Sequence, residues 1–267
     1  MPSQAPITIL KLGGSVITNR NDERPRLRSR LLSRIAREIA EGWRPGESRL
    51  IIIHGAGSFG HPIVRRTGID RGLRDRPQRV AMGDTQRLQS ELNAEVVHQL
   101  LHAGLPAFPC QPSASAVMEA GRLVSLDTDA LEGLMGSGIV PVLNGVPAYD
   151  RIQGCSILSG DQIAGFLYSR LRGERILHGT NVKGIYTSDP SQDPRARFFP
   201  EVDLGSSTGL PEGVAGSSVT DVTGGMRKKL EEMRIVRAKG RVFDATVKGN
   251  VLRALSGEAV GTRVDVG

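Results

Sequence analysis

The chain has 267 residues, 39% of them hydrophobic, and its 35 lysines and arginines outnumber 28 acidic residues for a formal charge of +7. That length buries a full core as one large α/β domain or two smaller ones; no run approaches the roughly 18 apolar residues of a membrane span, and the opening Met-Pro-Ser-Gln-Ala-Pro has no secretory h-region, so a soluble cytoplasmic protein is expected. The positive charge does not read as a nucleic-acid surface, because the arginines at positions 20–37 and 65–79 are interspersed with apolar and acidic residues and have few aromatic neighbours on which bases stack.

In chain order, the apolar run 7–10 predicts a strand that ends at Lys11 and turns through Gly13, Gly14 and Ser15, where free backbone N–H groups cradle anions. Leu31, Leu32, Ile35 and Ile39 make one helical face. A second strand over 50–53 runs into His54-Gly55-Ala56-Gly57-Ser58-Phe59-Gly60-His61, in which small residues let a ligand approach the main chain. Residues 65–79 read as charged and turn-rich. Leu88, Leu92, Val96, Leu100 and Leu101 make another helical face, followed by a short strand over 107–110. A helix start at 125–129 feeds 130–135, a buried strand covers 139–143, and Ser159 and Asp161 cap a helix that runs to about Leu171.

A strand over 175–177 then leads to Gly179-Thr180-Asn181-Val182-Lys183-Gly184 and a loop with Asp189-Pro190 and Asp193-Pro194, rich in turn signals. Thr220-Asp221-Val222-Thr223-Gly224-Gly225 precedes a helix with Met226, Leu230 and Met233 on one side. That places Gly225 at the helix N-terminus and Lys229 one turn in. Short strands at 242–243 and 262–266 close the chain. Strand and helix alternation predicts a three-layer α/β sandwich, with a central, mostly parallel sheet flanked by helices and ligands at the strand carboxyl ends. We read one domain over 1–267, with a soft division near residue 170.

Lysine is scarce: 29 of the 35 basic residues are arginine, yet Lys11 and Lys229 each flank paired glycines. Two isolated ammonium groups and two glycine-rich strand ends suggest a site that holds more than one phosphate. Several other patterns carry less. Residues 55–60 also fit the dinucleotide fingerprint G-x-G-x-x-G, but no acid-terminated strand follows about 20 residues on. His98 and His102 lack a third ligand and read as a half-buried structural pair rather than a metal site. Cys110 and Cys155 read as buried reduced thiols. No Walker-type G-x-x-x-x-G-K-[ST] run is present.

Lys11-Leu-Gly-Gly-Ser15, the glycine-rich end of the second strand, Ser159-Gly-Asp161, Thr180-Asn-Val-Lys-Gly184 and Gly224-Gly-Met-Arg-Lys-Lys229 resemble, in this order, the landmarks of the amino acid kinase superfamily. Within it, His54-Gly-Ala-Gly-Ser-Phe-Gly-His61-Pro62 and Asp221-Val-Thr-Gly-Gly-Met226 are similar to the isopentenyl phosphate kinases. The resemblance implies ATP and Mg²⁺ as cofactors, a phosphorylated isoprenoid acceptor and a homodimer. It also implies that Lys11 and Lys229 hold the transferring phosphate and the leaving nucleotide, with Gly13, Gly14, Ser15 and Gly57 supplying backbone contacts. Ala56, Gly57 and His61 would sit around the acceptor phosphate, Gly160 would line the acceptor pocket, Asp161 would hold the lysines, and Asn181 and Gly225 would touch the nucleotide. Arg20 stands where the family has lysine, and Asn181 where it has aspartate. Two other functions stay open on sequence: a kinase for another small phosphate or phosphonate such as fosfomycin, and a non-catalytic nucleotide- or nicotinamide-binding module.

Overall fold

The computed structural model describes residues 5–19, 24–205 and 225–266. Arg20 and the stretch 220–224 lie outside the described residues. The first strand, β1 (Ile7–Leu12), is followed by a single helical turn, α1 (Gly14–Ile17), and by α2 (Ser29–Gly42). Next come β2 (Arg49–His54), α3 (His61–Thr67) and the long α4 (Arg76–His102). The chain continues through β3 (Ala107–Pro109), β4 (Val117–Glu119), β5 (Arg122–Ser125) and α5 (Asp129–Gly136) to β6 (Val140–Asn144). Then β7 (Val146–Asp150) and β8 (Gly154–Leu158) lead to α6 (Gly160–Arg170) and β9 (Arg175–Thr180). The remaining elements are β10 (Ile185–Tyr186), β11 (Phe198–Phe199), β12 (Glu201–Asp203), α7 (Gly225–Ile235), β13 (Gly240–Asp244), α8 (Asn250–Leu255) and β14 (Thr262–Asp265).

Eight strands form the central sheet in the order β12-β14-β13-β9-β1-β2-β6-β3, parallel throughout except where β13 meets β14. Its strands are apolar on both sides, as a sheet covered by helices on both faces requires. Ile7, Ile9, Ile51, Ile53, Leu143 and Ile176 pack with α5, α6 and α7. The alternate residues Leu10, Leu12, Leu50, Ile52, Val142 and Leu177 pack with α2, α4 and α8. Side chains alternate along a strand, so this division also assigns each residue at the strand ends to a face. Lys11 and His178 lie on the α6 side, and His54 and Asn144 on the α4 side.

Helix starts follow the capping chemistry of the sequence. Ser159 Oγ accepts from the Gln162 N–H at 3.1 Å and opens α6, while Asp75 Oδ1 accepts from the Gln78 N–H at 2.8 Å and opens α4. The stretch 65–79 is therefore more helical than its charge suggests, because α3 and the first turn of α4 occupy much of it.

A second, four-stranded sheet, β5-β4-β7-β8, was not expected from sequence. Its knot is Asp150, whose carboxylate accepts from the N–H groups of Ala120, Gly121, Ile152 and Gln153 and from Ser156 Oγ. Burial would raise this carboxyl, and the bonds from Gly121, Ser156, Ile152 and Gln153 hold it well below the usual carboxylate range. The loop after β10 folds back as a hairpin with β11, its Asp189 and Asp193 accepting turn hydrogen bonds from Ser191 and Arg195.

His98 and His102 stack with ring centroids 5.9 Å apart but are exposed rather than half-buried, because that face of α4 points to solvent. Both cysteines are free thiols; Cys155 is buried, whereas Cys110, just past the edge strand β3, is half-buried. No described helix is long and apolar enough to cross a membrane.

Candidate active site

Parallel pairing brings the ends of β1, β2, β6 and β9 to one edge of the sheet. Lys11 is in register with Ile53 on one side and with His178 on the other. On this edge the Lys11 Nζ donates to Asp161 Oδ2 at 3.1 Å, and the Lys229 Nζ donates to Asp161 Oδ1 at 3.2 Å. Asp161 is delivered by the first turn of α6, and Lys229 by the second turn of α7. Both lysines are buried, at 7% and 5% exposure, in keeping with ammonium groups that act inside a site and not at the surface.

The electrostatics follow from that burial. Desolvation alone would raise the Asp161 carboxyl, but the charges of Lys11 and Lys229 and the Lys11 hydrogen bond hold it well below the usual range, so it is a permanent anion. Desolvation lowers the Lys229 ammonium to about 8, with Asp161 opposing the fall and Lys11 adding to it. His178, in β9, places Nδ1 3.5 Å from Asp161 Oδ1 and is 1% exposed. Burial first, then the positive charge of Lys229, keeps its ring neutral. One carboxylate thus faces two ammonium groups and a neutral imidazole, which leaves a net positive charge for an anionic ligand.

Two glycine loops overlie this edge. Gly13 donates its N–H to the Gly179 carbonyl at 2.9 Å, and Gly55 donates to the Leu12 carbonyl at 3.0 Å. Between them the main chains touch: a Cβ built on Gly14 would lie 2.4 Å from the Gly57 nitrogen, and one on Gly55 would lie 2.6 Å from the Gly14 nitrogen. Only glycine permits that approach. Thr18 locks the pair, since its Oγ1 donates to the Gly14 carbonyl at 2.8 Å and accepts from the Ser58 N–H at 3.1 Å. Ser15 Oγ donates to Asn181 Oδ1 at 3.3 Å and joins the first loop to the segment after β9.

Most sequence-predicted site residues therefore converge. Lys11, Asp161 and Lys229 form the charged centre, and Gly160 packs between Ile53 and the Lys11 side chain. Gly13, Gly14, Ser15 and Asn181 form one rim, with Ala56 and Gly57 in the loop beside it. His61 opens α3 and is exposed, whereas Gly225 opens α7, one turn before Lys229. Arg20 lies outside the described residues. His178, Thr18, Gln89 and Asn144 were not singled out from sequence. His178 had a signal, a polar residue following an apolar run; the others show only once strands are in register. An open cleft of about 670 Å³ between α3 and α4 is lined by Ile63, Pro77, Val80 and Ala81 together with Arg66 and Arg87.

Cations and main-chain donors gathered around one edge, with a carboxylate already committed to the lysines, suit the transfer of a phosphoryl group between two anions. The chain belongs to the amino acid kinase family, whose model matches residues 6–243. Within that family it is similar to isopentenyl phosphate kinases. It is 40% identical to the one from Methanothermobacter thermautotrophicus over 266 residues, covering 96% of this chain and 98% of the relative. It is 30% identical to that of Methanocaldococcus jannaschii, covering 97% and 98%. A solved structure of isopentenyl phosphate kinase superposes with a TM-score of 0.85 at 34% identity, over 97% of this chain and 99% of that one.

Proposed function

We propose that this chain transfers the γ-phosphoryl group of ATP to isopentenyl phosphate, giving isopentenyl diphosphate and ADP. The observation that carries the reading is the pair of lysines on Asp161 beneath two interlocked glycine loops, in a chain 40% identical to a known isopentenyl phosphate kinase. A phosphate monoester has a second pKa of about 6, so at neutral pH the acceptor is a dianion and no base is needed to activate it. An acceptor oxygen forms the new bond to the γ-phosphorus as the bond from that phosphorus to the β,γ-bridging oxygen breaks, and the electron pair leaves with ADP.

Repulsion between anions is the obstacle, so catalysis is alignment and charge stabilisation. In our reading Lys11 and Lys229 neutralise the transferring phosphoryl group and the leaving nucleotide, and Asp161 keeps both ammonium groups in place without taking a proton. Gly13, Gly14, Ser15, Asn181 and Gly225 contact the nucleotide, and Arg20 adds charge near the transferring group. Ala56, Gly57, His61 and Gly160 take the acceptor, and its apolar tail enters the cleft beside Ile63 and Val80. Residues 1–170 then form the acceptor half and 171–267 the nucleotide half of a homodimeric cytoplasmic enzyme.

When bound, Mg²⁺ would supply charge neutralisation at the nucleotide phosphates. Asp161 is committed to the two lysines, so in this reading the ion would be held chiefly by the nucleotide phosphates.

The test is turnover with Mg-ATP across isopentenyl phosphate, dimethylallyl phosphate, fosfomycin, glutamate and acetylglutamate. Isopentenyl phosphate should show the highest kcat/KM. Faster turnover of a carboxylate acceptor would overturn the assignment and leave the fold intact.

A further inference from the structure

Beneath the glycine loop of residues 55–60, on the α4 side of the sheet, four polar side chains are buried together. His54 places Nε2 3.0 Å from Asn93 Oδ1 and Nδ1 3.2 Å from the Gly55 carbonyl. Its ring is kept neutral by burial. A neutral ring satisfies both contacts by donating from Nδ1 to the carbonyl and accepting at Nε2 from the Asn93 amide, turned so that its NH₂ group faces the ring. Asn144 is in register with His54 on β6, and its amide is fully buried with no hydrogen-bond partner among the described residues.

Gln89 is the more telling member. It lies one turn before Asn93 on the same face of α4, is 1% exposed, and neither its Nε2 nor its Oε1 has a partner among the described residues. Its Nε2 lies only 2.3 Å from where a Cβ on Gly60 would stand, so the amide is pressed against the loop main chain next to His61. Helix α4 therefore reaches both ends of the loop from a single face, at Gly55 through Asn93 and His54, and at Gly60 through Gln89. A buried amide without partners destabilises the fold. Leucine, of similar volume, would suit this apolar side of the sheet better.

We propose that Gln89 is a positioning residue for the acceptor loop: its amide bonds the 57–60 main chain when the loop seats on the acceptor phosphate, and so fixes the loop and His61 around that phosphate. The inference rests on the assignment of this loop to the acceptor. Its cost should be visible in the free protein and its benefit only in acceptor binding.

The experiment compares wild type with Gln89→Leu, Gln89→Glu and the control Thr85→Val, by thermal unfolding without ligands and by kinetics with isopentenyl phosphate and ATP titrated separately. Thr85 is buried one turn earlier, and its Oγ1 donates to Ala81 in its own helix. Gln89→Leu should raise Tm, raise KM for isopentenyl phosphate about tenfold or more and leave KM for ATP within about twofold. Gln89→Glu should be worse for the acceptor, because it adds a negative charge beneath a dianion. Thr85→Val should move neither KM. A Gln89→Leu protein with unchanged acceptor KM would overturn the inference, as would a lowered Tm with both KM values shifted together, the mark of a structural role. Wild-type protein that phosphorylates no phosphate monoester would remove the acceptor assignment itself and this inference with it.

Discussion

The ammonium groups of Lys11 and Lys229 share one oxygen: Asp161 Oδ1 lies 3.0 Å from the first and 3.2 Å from the second. The two lysines come from opposite ends of the chain, on β1 and α7, and are joined by this carboxylate. Lys11→Ala and Lys229→Ala should each lower kcat by about 10²-fold or more with the fold retained, as loss of transition-state charge stabilisation does. Circular dichroism paired with steady-state rates checks it; an unchanged kcat in a folded Lys11→Ala enzyme would refute the role. Arg20→Lys should be tolerated, since both carry the charge.

Asp161→Asn tests the anchor. The amide keeps the shape and removes the charge that opposes desolvation of Lys229, so the Lys229 pKa should fall further and the rate loss should be steepest at alkaline pH.

Lys229 also sets a pH limit. Its ammonium titrates at about 8 in the folded protein, so kcat/KM should fall on the alkaline side with an apparent pKa near that value. Lys229→Arg should abolish this limb, because guanidinium stays protonated, though its planar fork lowers the rate. Stability has the opposite sign: between about 8 and the unfolded lysine value of roughly 10.4 the unfolded chain holds the extra proton, so raising pH favours the folded state.

His54 and His178 predict an acid limit to stability. Both have pKa values lowered by burial, so below about 6.5 the unfolded chain binds protons that the folded protein refuses. Stability should be full above that range and decline on acidification, by at most about 1.4 kcal/mol per pH unit for each histidine. Urea unfolding at pH 5, 6 and 7 measures the slope, and His178→Asn should flatten it. A slope that His178→Asn leaves unchanged would show that His178 is not held neutral.

Neighbouring glycines should respond differently. Gly14→Ala would place a methyl 2.4 Å from the Gly57 nitrogen, a main-chain atom that cannot yield, whereas a methyl on Gly13 meets nothing closer than the Gly179 oxygen at 3.4 Å. Gly14→Ala should cost several degrees of Tm and most of the activity. Gly13→Ala should fold with a Tm close to wild type.

His61 separates this reading from kinases with carboxylate acceptors. If His61 holds the acceptor phosphate as proposed, His61→Ala removes a charge-assisted hydrogen bond, so kcat/KM for isopentenyl phosphate should fall by about 10- to 150-fold, with ATP affinity unchanged. A defect confined to ATP binding would reassign the loop to the nucleotide.

The parallel sheet was legible because short apolar runs at 7–10 and 50–53 lead into glycines and announce both burial and a ligand-facing end; the strands themselves extend over 7–12 and 49–54. Lys11 and Lys229 stood out by their rarity. The small sheet was not legible, since β4, β5 and β7 are three to five residues long, carry proline or charge, and are held by Asp150 through contacts no local pattern encodes. His178, Gln89 and Asn144 were missed for a related reason. Each is a lone polar residue whose meaning depends on its neighbour in register or on the facing helix, and periodicity reports burial without reporting partners.

The contact between Gly14 and Gly57 has a consequence for how this protein changes. Because the two loops touch directly at Gly14 and Gly57 and are pinned by Thr18, in the proposed reading the gap between their ligands is set by this contact and not by the residues of the cleft. The cleft along α4 that we propose for the tail lies apart from that contact. Substitutions at Val80 or Ala81 can therefore reshape which acceptor enters while the two phosphates keep the same separation, so acceptor range and transfer geometry are separable under mutation.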